Sequence, residues 1–190
     1  MQKTAILILA AGSSTRMKAT KQLLPYKNTT LLGFAIETAQ KTTANEVFCV
    51  LGHKAEIIKK SIEKQQVETI LNPNFKEGLS SSIVAGIHHI FPKNFDTVLI
   101  MLADQPKITP VFLNELLKIS IKNPSKIIAS NYGKNIGVPA IFPKSYFLEL
   151  LDLKGDKGAK NLLIKMSSKL ISIESSNLID IDTKEDYKKL

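Results

Sequence analysis

Apolar runs long enough to form buried strands alternate along this chain with segments of helical spacing. Residues 4–10 (TAILILA) and 97–103 (TVLIMLA) are almost continuously apolar, which is typical of strands covered on both faces. Residues 46–52 and 67–71 are predicted to be further strands. Because strand and helix alternate, the sequence predicts an α/β fold with a mostly parallel sheet.

The other predicted elements fill the rest of the chain without a repeat or a linker. Helices are predicted over residues 30–41, 54–64, 79–91, 110–121, 144–152 and 156–167 and from Thr183 onward. A turn is predicted at 131–135, an extended segment at 138–142, and strands at 126–130, 170–173 and 178–181. We therefore expect one domain over residues 1–190.

Charge and cysteine content narrow the classes of function. The chain carries 26 Lys and Arg against 17 Asp and Glu, a net charge of +9, which favours anionic partners. The cations are dispersed lysines apart from Arg16, and Trp is absent, so the pattern predicts a solvated lysine surface rather than nucleic-acid binding. A single cysteine, Cys49, excludes a disulfide framework and favours the cytoplasm. No run of 18 apolar residues predicts a membrane span.

The first strand ends in a loop of small residues and positive charge. Gly12 and the hydroxyl residues after it would let backbone N–H groups approach an anion, and Arg16 and Lys21 would add charged contacts. Ligands of parallel sheets bind beyond the carboxyl ends of the strands, so polyphosphate is the predicted ligand. The loop matches neither G-x-x-x-x-G-K-[ST] nor G-x-G-x-x-G, and a Gly-Ser turn can also be only a turn.

Acidic residues occupy two further positions of interest. Asp104 follows the apolar run 97–103, where it could hold Mg²⁺ against phosphate oxygens or cap the turn at Pro106. Asp180 and Asp182 lie two residues apart on a predicted strand and would project to the same side. One of these two aspartates could serve as a metal ligand, as the N-cap of the last helix, or as both.

Five segments together resemble a known family. The stretch LAAGSSTRMKATKQLLP (9–25) resembles the pattern L-A-A-G-x-S-x-R-M-G-x-x-K-q-L-L-p of the MobA-like nucleotidyltransferases, in their molybdenum cofactor cytidylyltransferase branch. The similarity continues in NPNFKEGLSSSIVAGI (72–87), ADQP (103–106), GVPAIFPKSYFLELLDLKGDKGAK (137–160) and DIDTKEDY (180–187). Two positions depart from the family pattern: Lys18 replaces a usual Gly, and Lys160 replaces a common Arg, which loses a bidentate phosphate contact.

The resemblance implies a fold, a reaction and a set of site residues. The fold would be a Rossmann-like three-layer α/β/α sandwich of the nucleotide-diphospho-sugar transferase type. The reaction would transfer CMP from CTP to the phosphate of molybdopterin and release pyrophosphate. Arg16 and Lys21 would neutralise the triphosphate, while Asp104 and Asp182 would hold Mg²⁺. By the same resemblance, Ala10, Ala11, Gly12, Ser80, Ser81 and Ser82 would contact the nucleotide, and Lys157 and Lys160 the acceptor.

Other functions remain open at this point. A related transferase could use GTP, or a sugar or alcohol phosphate as acceptor, and a non-catalytic nucleotide-binding protein would need only the phosphate loop. The pair Asp104 and Asp182 favours catalysis, and EGLSSSI (77–83) favours the cytidylyl branch. The resemblance also allows a protein partner, a recipient molybdoenzyme or its chaperone.

Overall fold

A computed structural model describes residues 2–17, 19–133, 135–175 and 179–190. Its strands are β1 (Thr4–Leu9), β2 (Pro25–Tyr26), β3 (Thr29–Thr30), β4 (Glu46–Leu51), β5 (Glu68–Leu71), β6 (Thr97–Leu102), β7 (Ile127–Asn131), β8 (Ile136–Pro143) and β9 (Leu170–Glu174). Its α-helices are α1 (Leu31–Gln40), α2 (Ala55–Ser61), α3 (Leu79–Ile90), α4 (Pro110–Lys122), α5 (Phe147–Leu151), α6 (Lys160–Lys165) and α7 (Lys184–Lys188).

Seven strands form one sheet in the order β5-β4-β1-β6-β8-β7-β9. The pairs β5–β4, β4–β1, β1–β6 and β7–β9 are parallel, whereas β8 runs antiparallel to both β6 and β7. The apolar strands β1 and β6 are central neighbours, with Leu9 aligned to Leu102. Their carboxyl ends therefore open side by side at one edge of the sheet.

Helices cover both faces of this sheet, which confirms the predicted three-layer α/β/α fold. In β1, Leu7 belongs to a core cluster that includes residues of α3, α5 and α6 on one face, while Ile6 and Ile8 belong to a second cluster with residues of α1, α2 and α4 on the other. Gly86 of α3 permits the helix to approach β1 closely, since a Cβ there would lie 2.3 Å from Leu7 Cδ2.

Several predicted boundaries were wrong, and each has a local cause. The predicted helix 156–167 begins only at Lys160, because Gly155 and Gly158 adopt positive φ angles that a right-handed helix excludes. No strand forms at residues 179–181, where the backbone N–H of Ile181 instead donates to the carbonyl of Asp104; the rest of that prediction, residue 178, lies outside the described residues. The short hairpin β2–β3 was not predicted.

Candidate active site

The carboxyl ends of β1 and β6 open into a cavity of about 610 Å³. Its walls come from the loop after β1, the turn after β6, the start of α3 and the segment before α7. The residues predicted to bind substrate or metal that line it are Ala10, Ala11, Gly12, Arg16, Lys21, Ser82, Asp104 and Asp182. The fold thus brings together side chains that lie more than 160 positions apart in sequence.

Four charged side chains form one cluster in this cavity. The ammonium of Lys21 lies 2.5 Å from Asp104 Oδ2 and 3.2 Å from Asp182 Oδ1. The guanidinium of Arg16 lies 3.1 Å from Asp182 Oδ2. The Lys21 and Asp104 side chains are only 14% and 18% exposed, whereas Arg16 is 71% exposed. Lys21 is therefore a fixed part of the site, and Arg16 lies at its entrance.

The geometry around the two carboxylates argues against the capping interpretations. The N-cap of α7 is Thr183, whose hydroxyl accepts from the Asp186 amide while the Asp186 carboxylate accepts from the Thr183 amide. Asp182 is therefore not needed as the cap. Asp104 does not cap a turn either, because Oδ2 contacts Lys21 and Oδ1 is buried without a partner among the residues that the structure describes.

This pair of carboxylates fits a divalent cation such as Mg²⁺. Both oxygens lie on one ammonium, so their separation is less than the sum of the two contact distances given above, and a single cation could reach both. The buried Asp104 Oδ1 is a further acceptor without a partner in the described ranges. Within those same ranges no three His, Cys, Asp or Glu side chains group as a metal site, so phosphate oxygens or water would complete the ligand set. Mg²⁺ binding remains a prediction.

Gln22 fixes the loop after β1, a role the sequence did not suggest. Its buried amide nitrogen donates to the carbonyls of Ala10 and Gly12, both at 2.8 Å. The Ala10 N–H donates to the carbonyl of Val50 in β4, so Ala10 lines the cavity without a free N–H to offer. Any backbone donors to a nucleotide must therefore come from positions after Ala10. A Cβ on Gly12 would meet no protein atom within 4 Å.

The three serines at the start of α3 do not share one environment. Ser80 is fully buried, does not line the cavity, and donates its backbone N–H to the carbonyl of Gly155. Ser81 and Ser82 both accept hydrogen bonds from the side chain of Asn72, at 2.9 and 3.1 Å. Only Ser82 lines the cavity, so it is the one serine placed to meet a nucleotide directly.

A second cavity, of about 300 Å³, adjoins the first. The two share Leu9, Leu79, Leu102 and Asp180 as lining residues. The exposed Lys157 and Lys160, which were predicted to contact the acceptor, line the second cavity. Most of its remaining wall is apolar, formed by side chains such as Ile83, Ile136, Val138 and Leu163.

A partly buried polar network lies in the wall of the smaller cavity and reaches the larger one at Asp180. The Gln105 amide nitrogen donates to Asp180 Oδ1 at 2.8 Å and to the Tyr132 hydroxyl at 3.1 Å, and that hydroxyl donates to the carbonyl of Val138. Burial raises the pKa of Asp180; the Gln105 hydrogen bond opposes this, while the charges of Asp104 and Asp182 add to it. Burial likewise raises the pKa of Tyr132 to about 12. Tyr132 is therefore a neutral hydrogen-bonding group at physiological pH.

Some site residues carried weak sequence signals. Gln22 and Gln105 follow Lys21 and Asp104 directly and lie in segments that resemble the family pattern, but neither signal indicated what their side chains do. Phe75 and Lys76 also line the larger cavity, and only the similarity of their segment to the family pattern pointed to them. Lys18, where the sequence departs from that pattern, lies outside the described residues.

Comparison with known proteins identifies the family of this chain. The MobA-like NTP transferase domain family matches residues 6–170. The chain is 27% identical to the purine catabolism protein PucB of Bacillus subtilis over 95% of its own length and 92% of that protein. It is 24% identical to the molybdenum cofactor cytidylyltransferase of Escherichia coli, with the same coverages.

A solved structure shares the whole architecture. The crystal structure of Rv0371C in complex with manganese, from Mycobacterium tuberculosis H37Rv, superimposes with a TM-score of 0.82 at 25% identity, covering 99% of this chain and 97% of that one. Among the described residues, no helix has the length and hydropathy needed to cross a bilayer. The family match covers most of the chain, and the cavity at the carboxyl ends of β1 and β6 has the size of a nucleotide. This chain therefore belongs to the MobA-like NTP transferase domain family and is a nucleotidyltransferase.

Proposed function

We propose that the protein transfers CMP from CTP to the terminal phosphate of molybdopterin, with release of pyrophosphate. The observation that carries this proposal is the pair of adjoining cavities that meet at Asp180 beside the charged cluster. The larger cavity has the cations and backbone loop suited to a nucleoside triphosphate. The smaller one offers two lysines beside an otherwise mostly apolar wall, which suits a phosphorylated acceptor whose ring system can lie against that wall.

The reaction needs no protein nucleophile. An oxygen of the acceptor phosphate attacks the α-phosphorus of CTP, the bond from that phosphorus to the bridging oxygen breaks, and pyrophosphate leaves with the bonding electron pair. Catalysis of such a transfer consists of alignment and charge stabilisation. Lys21 and Arg16 would neutralise the triphosphate and the leaving group. Lys157 and Lys160 would hold the acceptor phosphate in line with the α-phosphorus.

Asp104 and Asp182 would hold Mg²⁺ in this proposal. When bound, Mg²⁺ supplies Lewis-acid stabilisation of the charge that develops on the phosphate oxygens. The manganese complex of the structurally similar Rv0371C supports a divalent cation for this fold. Lys21 contacts the same two carboxylates that a cation would use, so it serves as their counter-ion without metal and would be released toward the triphosphate when a cation takes its place.

The chemistry of the smaller cavity favours a pterin over a sugar as acceptor. A sugar phosphate brings many hydroxyl groups, and burying them against Ile83, Ile136 and Leu163 would leave hydrogen bonds unmade. A pterin would place the face of its ring system against such a wall and direct the polar groups along its edge toward Gln105, Tyr132 and Asn135. The name of the Escherichia coli relative supports both CTP and a molybdenum cofactor as substrates.

Pyrophosphate release tests nucleotide and acceptor together. The purified protein is incubated with Mg²⁺, molybdopterin and each of the four nucleoside triphosphates in turn, with a sugar phosphate replacing molybdopterin in a parallel series. We expect release with CTP and molybdopterin only. Equal turnover with GTP would contradict the nucleotide assignment, and turnover with the sugar phosphate alone would contradict the acceptor. Tight CTP binding without turnover in any mixture would favour a nucleotide-binding protein.

A further inference from the structure

The loop between α5 and α6, residues 152–159, lies between the two cavities. Asp156 lines the larger cavity, and the next residue, Lys157, lines the smaller one. A shift of this loop would therefore change the shape of both cavities at once. What holds the loop in place determines how the acceptor side faces the nucleotide side.

Two close backbone approaches attach this loop to the start of α3. Gly78 has a φ of 103° and a ψ of −179°, a conformation almost restricted to glycine. A Cβ on Gly78 would lie 2.7 Å from both the carbonyl carbon and the carbonyl oxygen of Gly155, and 2.3 Å from Asp156 Oδ1. The Ser80 N–H donates to that same Gly155 carbonyl at 3.1 Å. Farther along, a Cβ on Gly158 would lie 2.8 Å from Leu79 Cδ2.

We propose that Gly78 is a positioning residue for the acceptor: by letting the 152–159 loop dock on α3, it sets Lys157 and Lys160 at their working distance from the nucleotide. This inference rests on the proposed function. Gly78 itself lines the larger cavity, but a Cβ there would meet the loop, at Gly155 and Asp156. The loop contributes only an acidic side chain, Asp156, to that cavity, so moving the loop removes no favourable contact from the triphosphate. Its displacement should therefore weaken acceptor binding much more than nucleotide binding.

The test is Gly78→Ala, with Gly155→Ala as the matched control. Gly155 also has a positive φ, 76°, but a Cβ there would meet no atom within 4 Å, so this control strains the same loop without pushing it off α3. We expect Gly78→Ala to raise the acceptor KM at least tenfold and the Kd for Mg-CTP less than threefold. Gly155→Ala should change both by less than threefold.

A readout independent of activity is hydrogen exchange at the Ser80 amide, which bonds to the loop. Exchange should speed up in Gly78→Ala and stay near the wild-type rate in Gly155→Ala. If Gly78→Ala fails to fold, Gly158→Ala is the second variant. It perturbs the contact between Gly158 and Leu79 more gently, because Leu79 is a flexible side chain, and it should also raise the acceptor KM.

The possible outcomes separate this inference from the proposed function. Wild-type turnover with an unchanged acceptor KM in the folded Gly78→Ala or Gly158→Ala variant would overturn the inference alone. Unchanged exchange at Ser80 in Gly78→Ala would also overturn it, because the loop would not depend on this contact. Absence of pyrophosphate release by the wild-type protein would overturn the proposed function and this inference with it.

Discussion

The larger and the smaller cavity share Leu9, Leu79, Leu102 and Asp180, but their charged groups are held in different ways. In the larger cavity, Lys21 is nearly buried between two carboxylates. In the smaller cavity, Lys157 and Lys160 are exposed, and no carboxylate of the described residues lies within ion-pair distance of either.

The charged groups of the larger cavity are already held in place before a substrate binds, whereas the lysines of the smaller cavity are available to bind one. The Lys21 cluster is internally neutralised, so it keeps its geometry without substrate and should contribute to stability as well as to catalysis. The two acceptor lysines contribute little to stability, because exposed side chains seldom do. Substitutions in the first cavity should therefore affect both folding and rate, and substitutions in the second should affect acceptor binding alone.

The largest effect is expected for Asp104→Asn. It keeps the shape of the side chain and removes both a predicted metal ligand and the counter-ion of Lys21. Turnover should fall about 10³-fold, since Lewis-acid stabilisation is worth several kcal/mol and about 1.4 kcal/mol corresponds to a factor of ten. Steady-state pyrophosphate release measures this, with Asp152→Asn, an exposed acid, as the control.

The stability of Asp104→Asn distinguishes two accounts of the metal-free site. If the two carboxylates only repelled each other, removing one charge would raise the unfolding free energy. The structure instead pairs both with Lys21, so we expect a decrease of about 1 kcal/mol, as for a partly buried ion pair. A rise in the denaturation midpoint would contradict the pairing.

Lys21→Ala is expected to have the next largest effect. Turnover should fall about 10²–10³-fold, the usual effect of losing one preorganised charge donor. Unlike an ordinary loop lysine, Lys21 also neutralises two carboxylates, so its removal should lower the melting temperature in metal-free buffer, and Mg²⁺ should restore part of the loss. Lys118→Ala on the exposed face of α4 is the control. A variant with normal turnover would leave the loop after β1 as a turn without a catalytic role.

A smaller effect, confined to the acceptor, is expected for Lys157→Ala and Lys160→Ala. Each should raise the acceptor KM about tenfold, the loss of one charge-assisted hydrogen bond. The KM for CTP and the melting temperature should stay unchanged. Lys154→Ala is the matched control, since Lys154 is an exposed lysine of the same loop and lines neither cavity. Equal effects of all three substitutions would indicate a general electrostatic role rather than a specific acceptor contact.

The smallest effect is expected for a substitution of Glu68, whose exposed ion pairs serve as a reference for the buried Lys21 cluster. Glu68 on β5 lies 2.5 Å from His89 and 3.0 Å from Lys93. Burial tends to raise the pKa of Glu68, but hydrogen bonds from Lys93 and His89 lower it below its ordinary 4.5. A lowered folded-state pKa stabilises the protein above pH 4.5, and this stabilisation is lost as the pH falls through the folded pKa.

Because Glu68 is largely exposed, Glu68→Gln should lower the unfolding free energy by only about 0.3 kcal/mol at pH 7. The difference from wild type should disappear as the pH falls through the folded-state pKa of Glu68, because the protonated carboxyl is then as neutral as glutamine. Urea unfolding over a series of pH values from 7 downward measures this. An effect at pH 7 as large as that of Lys21→Ala would show that the buried cluster is energetically no different from a surface one.

The sequence predicted the sheet and the main charged residues because each rests on a local signal. Continuous apolar runs identify β1 and β6, and loops at their carboxyl ends converge in any parallel sheet, which placed Asp104 beside Lys21. Asp182 was placed by resemblance and not by the predicted strand before it, which does not form over residues 179–181. Its side chain reaches the site because the Ile181 N–H bonds to the Asp104 carbonyl.

The features that the sequence did not predict depend on contacts between distant segments. Burial of Ser80 follows from the loop at Gly155 that covers it, and the role of Gln22 follows from two carbonyls that turn toward its amide. The mutual pairing of Lys21 with both aspartates was also not foreseen, since cations and acids were assigned separately to phosphate and metal. Neither propensity nor spacing contains these three-dimensional contacts.

Binding of Mn²⁺ in the absence of nucleotide tests the central claim most directly, that Asp104 and Asp182 form a cation site which Lys21 occupies in its metal-free state. The electron paramagnetic resonance signal of free Mn²⁺ measures binding to the wild-type protein, to Lys21→Ala and to Lys21→Ala/Asp104→Asn. We predict that Lys21→Ala binds Mn²⁺ at least tenfold more tightly than the wild type, and that adding Asp104→Asn abolishes this gain. Equal Mn²⁺ affinity in all three proteins would contradict the claim.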